Sequence, residues 1–367
     1  MKKQPVFLFA ASIGVIASLT IWQPPCHAVS EETAEQRSLA AEARKEEALE
    51  KPETAKDVIE MLKERALLKL EKKRREALWK TNISAAVYAG FENNPLNDSS
   101  TKGDYFSEEN FFASWRPAFN EKFSANIGYS LIEQDYFEQT DVSSLNSSVN
   151  AILKYYPLES GKLRLEPGIE HEWLYYPKDE MSSYENTKHF IKFRHTINEK
   201  WNYGGKYEHS FKAYDKKRPR NAAQQYTTEL NREDNRHTAE LYITRFIGKY
   251  SAKVKGKIYR NTSNDHYQEY YDYDSWRAYL TLGRTFFKDE RLNISFTPSF
   301  ERKNYARRIA VNTARYDDVR EYKADVTYQA NKDISLSFNI THKEVDSNYV
   351  SGEYHDVTNK IGISYDF

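Results

Sequence analysis

Lys253, Lys255 and Lys257 stand two residues apart, the spacing that puts three side chains on one face of a β-strand. Three ammonium groups in a row attract anions and donate hydrogen bonds but accept none. Similar rows recur along the chain. Arg164, Glu166, Glu170 and Glu172 share one face, and Lys188, Lys192 and Arg194 share another. Lys206 and Glu208 follow, then Glu240, and later Glu321, Lys323, Asp325, Lys343 and Lys360. Opposite charges on neighbouring strands pair across a ladder. Such rows can therefore stiffen a wall with salt bridges, or line a polar lumen and sort solutes by charge. The candidate lining residues are Arg164, Glu166, Glu170, Lys192, Arg194, Lys206, Glu240, Lys253, Lys255, Lys257 and Lys323.

Covalent chemistry has a weaker case. Nucleophilic catalysis brings a Ser or Cys, a His and a carboxylate together, and the histidines are scattered outside any such motif. His171, His189, His195 and His209 alternate with apolar residues, the pattern of packed or boundary residues. Tyr267–Asp274 is acidic and aromatic. It can bind a cation or stack on a sugar, although packing between loops explains it as well. No Gly-rich phosphate loop and no Cys/His metal spacing occurs, so neither an enzyme nor a resident cofactor is expected.

The elements that position these rows are strands. Ile334, Leu336, Phe338 and Ile340 alternate with Ser335, Ser337, Asn339 and Thr341, and Lys360–Phe367 repeats the pattern to its last residue. Period-two alternation gives one apolar and one polar face. A soluble sandwich turns the apolar face inward, whereas a membrane barrel turns it outward to lipid around a wet lumen. Composition favours the second. Of 367 residues, 54 are Lys or Arg and 54 Asp or Glu, so no net field points to nucleic acid. Mean hydropathy is −0.84, yet 28 Tyr, 19 Phe and 6 Trp are present. A water-filled barrel with aromatic girdles has that profile.

The chain divides into three. Residues 1–28 carry Lys2 and Lys3, an apolar run from Val6 to Trp22 and a small residue at Ala28, the plan of a secretory signal peptide. Cys26, the only cysteine, leaves with it, and Gln23-Pro-Pro before it does not suit a lipidation site. Residues 29–80 are rich in Glu, Ala, Lys, Arg and Leu around a single Pro52, which reads as a short α-helical segment, a periplasmic linker or coiled coil. A helix that plugs the barrel is the sharper alternative. Residues 81–367 read as β throughout. Tight polar turns at Phe119–Phe123, Tyr156–Leu163, Ile197–Trp201, Ile247–Tyr250, Phe287–Leu292 and Ala330–Ile334 alternate with long polar connections. The clearest of these are Glu92–Ser107, Tyr214–Asn235, Asn261–Asp274 and Lys303–Asp318. Alternating short and long connections predict an up-and-down antiparallel barrel of about 14 strands. Phe119, Phe123, Tyr155, Trp201, Phe246, Tyr250, Phe286, Tyr328 and Phe367 lie beside the short turns as one girdle. Tyr105, Phe106, Tyr136, Phe137, Tyr175, Tyr271 and Trp276 lie near the long loops as the other.

With the signal peptide, the alternating loop lengths and Ile361-Gly-Ile-Ser-Tyr-Asp-Phe367, residues 81–367 resemble the Gram-negative outer-membrane β-barrels, porins among them. The resemblance implies a location in the outer membrane and contact with its lipid. It also implies that the barrel-assembly machinery reads the terminal strand through Tyr365 and Phe367. Ala86–Pro95 resembles more loosely the barrel domain of surface lipoprotein assembly modifiers, although residues 29–80 are too short for the helical repeats of that type. Two functions are therefore expected. The first is a passive channel for small hydrophilic solutes. The second is a non-conducting barrel for assembly or export of a surface protein or lipoprotein, with the N-terminal helices as contact to a periplasmic protein or to another copy.

Overall fold

The computed structural model describes residues 80–367 apart from 97–101, 121, 159–161, 222, 224, 228–230, 267–270, 288–289, 311–312 and 350–351, with backbone alone at Lys80 and 306–310. The signal peptide expected over 1–28 and the helical segment expected up to 80 lie outside the described residues, except Lys80, which opens the first strand.

Fourteen strands follow: β1 (Lys80–Glu92), β2 (Asp104–Arg116), β3 (Phe123–Tyr136), β4 (Ser144–Tyr155), β5 (Leu163–Tyr175), β6 (Tyr184–Asn198) and β7 (Trp201–Tyr214), then β8 (Glu233–Ile247), β9 (Tyr250–Ser263), β10 (Tyr273–Phe286), β11 (Leu292–Ala310), β12 (Thr313–Gln329), β13 (Ile334–Ser347) and β14 (Tyr354–Asp366). Each pairs antiparallel with its sequence neighbour, and β14 closes on β1. At the seam Ala86 faces Ser364 and Gly90 faces Lys360, and the Phe367 amide donates to the Ile83 carbonyl at 2.9 Å. Closure removes both free edges, as a barrel in lipid requires.

The faces are inverted relative to a soluble protein. Leu241, Ile258 and Ile361 are 65%, 61% and 62% exposed, whereas Glu301 and Asp317 on the other face are each 4% exposed. Apolar side chains on an exposed outer wall are stable only against lipid. Four inward glycines sit opposite aromatic rings on the next strand: Gly90 by Phe106, Gly168 by Phe190, Gly204 by Tyr242 and Gly362 by Tyr88. A Cβ at Gly362 would overlap the Tyr88 ring. Each ring covers bare backbone, a known way to pin strand register.

Two expectations change. Of the residues read as girdle, Phe246 at the short-turn end shares the inward parity of Glu240 and Tyr242, and Phe106 and Tyr136 point inward and are 1% and 7% exposed. The latter two pair with each other across β2 and β3, and the Tyr136 hydroxyl donates to Glu92. Adjacent aromatics such as Tyr105-Phe106 alternate faces, so only one of each pair reaches lipid. Lys303–Asp318, read as a long loop, is mostly strand. β11 runs to Ala310 and β12 starts at Thr313, with a register shift between Asn304 and Ile309. Beyond the lipid boundary both faces of a strand meet water, so the alternation that marks a strand disappears while the ladder continues.

Candidate functional site

Cross-strand register assembles the inward charges into rows. Glu166, Lys192, Lys206, Glu240, Lys257, Arg277 and Glu301 are successive partners from β5 to β11. The next row toward the short-turn end holds Arg164, Arg194, Gly204, Tyr242, Lys255, Tyr279, Ser299 and Glu321. Lys253 and Lys323 belong to the row below, through Thr281 and Thr297, and Glu170 faces Lys188 two rows above the first. Every candidate lining residue therefore occupies the inward parity of its strand.

Charge is not spread evenly around the wall. On β5–β9 the inward bases are Arg164, Lys188, Lys192, Arg194, Lys206, Lys212, Arg236, Lys253, Lys255 and Lys257, against Glu166, Glu170, Glu172, Glu208, Asp234 and Glu240. On β11–β14, β1 and β2 the described acids are Glu301, Asp317, Glu321, Asp325, Asp356, Asp366, Glu92, Asp104 and Glu108. They outnumber Lys303, Arg315, Lys323, Lys343, Lys360 and Arg116. The lumen thus has a basic side and an acidic side, which sets a field across it rather than along it.

Pairing differs as well. Lys188 bridges Glu170 at 2.7 Å and Glu172 at 2.8 Å. Arg164 meets Glu166 at 3.1 Å, Lys255 meets Glu240 at 3.5 Å, and Lys206 pairs with Glu208. Among the described residues, Lys192, Arg194, Lys253 and Lys257 form no ion pair. At the three lysines aromatic faces take that place. Lys192 lies 4.4 Å from the Phe190 ring, Lys253 4.3 Å from Tyr242 and Lys257 5.1 Å from Tyr259, and a ring face attracts a cation without neutralising it.

Sequence reasoning missed Arg277, whose guanidinium donates to Glu321 at 2.7 Å and to Ser299 at 2.8 Å and reaches Glu301 at 3.5 Å. Glu301 also accepts from Ser275 at 2.9 Å and from the Tyr259 hydroxyl. Extending the two-residue alternation through Ser275, Arg277 and Tyr279 would have put Arg277 in the lumen. Lys360 meets Glu108 at 3.0 Å across the β14–β1–β2 seam.

At the long-loop end, a recess of about 490 Å³ opens on the β10–β14 wall beside Arg277, Glu301, Asp317 and Tyr354. Arg315 holds Asp317 through two 2.8 Å hydrogen bonds. In the β7–β8 connection, burial and then the neighbouring Arg232 guanidinium hold the Lys217 ammonium below its usual range. The described part of Tyr267–Asp274 packs on its surroundings. Arg232 covers the Tyr271 ring at 3.1 Å, Asp272 accepts from the Ser263 amide at 2.7 Å, and Asp274 pairs with Arg260 at 2.7 Å. At the other end Tyr365 and Phe367 project outward, their rings 4.7 Å apart. No group of three His, Cys, Asp or Glu side chains is placed to hold a metal ion among the described residues.

No protein-family model matches the chain, and no curated protein matches it. Solved structures do. A loop-deletion mutant of OmpT, an outer membrane protein of Vibrio cholerae, is 10% identical with a TM-score of 0.46, over 79% of this chain and 100% of that one. An anion-selective porin from Comamonas acidovorans is 8% identical with a TM-score of 0.44, over 79% and 100%. An outer membrane channel from Pseudomonas putida F1 is 9% identical with a TM-score of 0.41, over 78% and 95%. The closed ladder, the apolar outer wall and the charged lumen stand independently of these likenesses. The chain is a membrane-spanning, closed β-barrel of fourteen antiparallel strands.

Proposed function

We propose that the barrel is a passive channel for small hydrophilic solutes and that it favours anions. The observation that carries this reading is the basic side of the lumen, where Lys192, Arg194, Lys253 and Lys257 face inward with no ion pair among the described residues. A charge already neutralised by a neighbour has little left for a passing solute, whereas an ammonium resting on a ring still attracts one. Fourteen strands lie between the eight whose interior side chains fill and the sixteen that leave a clear channel. The acidic side opposite adds an orienting field, which suits solutes carrying a negative group on one end.

Conductance across a planar bilayer tests this directly. Reconstituted full-length protein should give discrete steps, and a salt gradient should give a reversal potential of the sign set by anion flow. A sealed bilayer would sink the channel and leave the assembly or export reading. A cation-selective pore would sink only the assignment of the lysines. In either case the resemblance implies a terminal strand read through Tyr365 and Phe367 during insertion.

A further inference from the structure

A row of histidines left unused by the channel reading stands on the outer face of the same wall. His189 on β6, His209 on β7, His237 on β8 and Arg260 on β9 are successive register partners. They share the outward parity of Ile191, Tyr207, Leu241 and Ile258. His171 continues the band on β5, one outward position beyond Ile169, the partner of His189.

The height of the row is informative. His171, His189 and His209 are each the fifth outward residue of their strands, counted from the short-turn end. An apolar band about 25 Å tall, crossed by strands tilted about 40°, takes roughly ten residues and hence roughly five outward positions. Below the row the outward face is chiefly apolar, as with Ile191 on β6 and Ile258 on β9. Above it come Thr187, Glu185, Asn235 and Thr262, with the boundary aromatics Trp173 and Phe211 among them. The imidazoles therefore lie at the lipid boundary on the long-loop side, where the headgroup phosphates of that leaflet begin.

The rings are arranged for an anion. His209 and His237 stack with centroids 4.6 Å apart at 23°. His209 Nε2 donates to Asn235 Oδ1 at 3.3 Å, and the Tyr207 hydroxyl lies 2.9 Å from His237 Nδ1. Two charged rings at that distance repel, and an anion lying against them relieves the repulsion. Outward acids on the packed elements are Glu185 on β6, Glu233 on β8 and Asp274 on β10. Glu185 reaches His171 at 3.7 Å and Asp274 pairs with Arg260. No acid forms an ion pair with His189, His209 or His237 among the described residues.

We propose that this exterior row binds the phosphates of an outer-leaflet lipid headgroup, and that protonation of the imidazoles tightens the hold. Histidine is the side chain that gains charge between pH 5 and 8, so binding strengthens as the medium acidifies. The inference goes beyond the channel reading, because it concerns the outer wall and needs no open lumen.

Lipid A, a bis-phosphorylated glycolipid, is the probe, and its dephosphorylated form the control, each added to the full-length barrel in a nonionic detergent. Retention of lipid A should be greater at about pH 5.5 than at about pH 8, by roughly fivefold for each imidazolium gained near an anionic headgroup. The dephosphorylated form should show no such gain, and excess inorganic phosphate should leave lipid A bound. The triple variant H189Q/H209Q/H237Q should hold lipid A at the lower pH no better than wild type does at the higher. Equal retention at the two pH values, equal retention of the dephosphorylated lipid, displacement by inorganic phosphate, or an unaffected folded variant would each overturn the proposal. Should the variant fail to fold, the wild-type pH profile and the control lipid still decide.

Discussion

Lys257 on β9 and Arg277 on β10 face each other across one rung of the ladder, yet their surroundings give them opposite roles. Arg277 is fixed by Glu301, Glu321 and Ser299. Its planar fork can serve several oxygens at once, which suits a buried network. Lys257 has a ring face at 5.1 Å and no ion pair among the described residues. Charges in β10–β12 are chiefly spent on one another and hold the wall together, whereas on β6–β9 Lys192, Arg194, Lys253 and Lys257 have no acid partner among the described residues and remain for a solute. A charge count around the lumen would miss this, since both sides carry lysines, arginines and carboxylates. The partner, not the residue type, decides what a lumen charge does.

The largest effect should follow from breaking the knitted side. Arg277→Ala removes the common cation of Glu301 and Glu321, which are 6% and 15% exposed at the side chain. Among the described residues it leaves them only the cations Lys303 at 3.8 Å and Lys323 at 3.3 Å. A cost of about 3 kcal/mol is expected, the low end for removing one partner of a buried pair, read as a lower unfolding midpoint in urea. Ion selectivity in the surviving folded channels should hardly move. A large selectivity change with unaltered stability would erase the distinction between the two sides.

The two faces of each strand meet different media, and Leu336 with Ser337 tests that. Leu336→Arg puts a guanidinium into lipid and should cost about 2–4 kcal/mol if it lies near mid-bilayer. Ser337→Arg, on the lumen face, should be tolerated, with the same unfolding midpoint as its readout. Equal tolerance of both would mean that β13 does not cross a membrane.

Smallest in stability and sharpest in function is the change on the open side. Lys192→Glu, Lys253→Glu and Lys257→Glu together replace bases that form no ion pair among the described residues. The change should cost less than about 1 kcal/mol, as for other charges in contact with water, while the reversal potential in a salt gradient changes sign. Reversal together with unaltered folding would sharpen the contrast. Unchanged selectivity would assign these lysines to the wall.

Most of the barrel is legible in the chain itself. Pleat period is a local property, so Lys253-Lys255-Lys257 and Leu336-Phe338-Ile340 announce their faces without knowledge of any neighbour. Segregation of short and long connections then gives the strand number, and all eleven lining candidates fall on the inward parity. The failures were also local in origin. Tyr105-Phe106 looked like one girdle cluster because both residues are aromatic, although adjacent residues of a strand cannot share a face. Lys303–Asp318 looked like a loop because a strand emerging into water has no reason to alternate.

What the sequence could not contain is the match between strands. Closure of β14 on β1 puts Lys360 against Glu108, residues 252 positions apart. Register sets Arg277 between Glu301 and Glu321 while leaving Lys192, Lys253 and Lys257 unpaired by acids among the described residues, and it lines His189, His209 and His237 into one exterior row. Alternation determines which way each side chain points. Which side chain it meets depends on the stagger of fourteen strands around a closed ladder, and a slip of two residues would keep every face and change every partner.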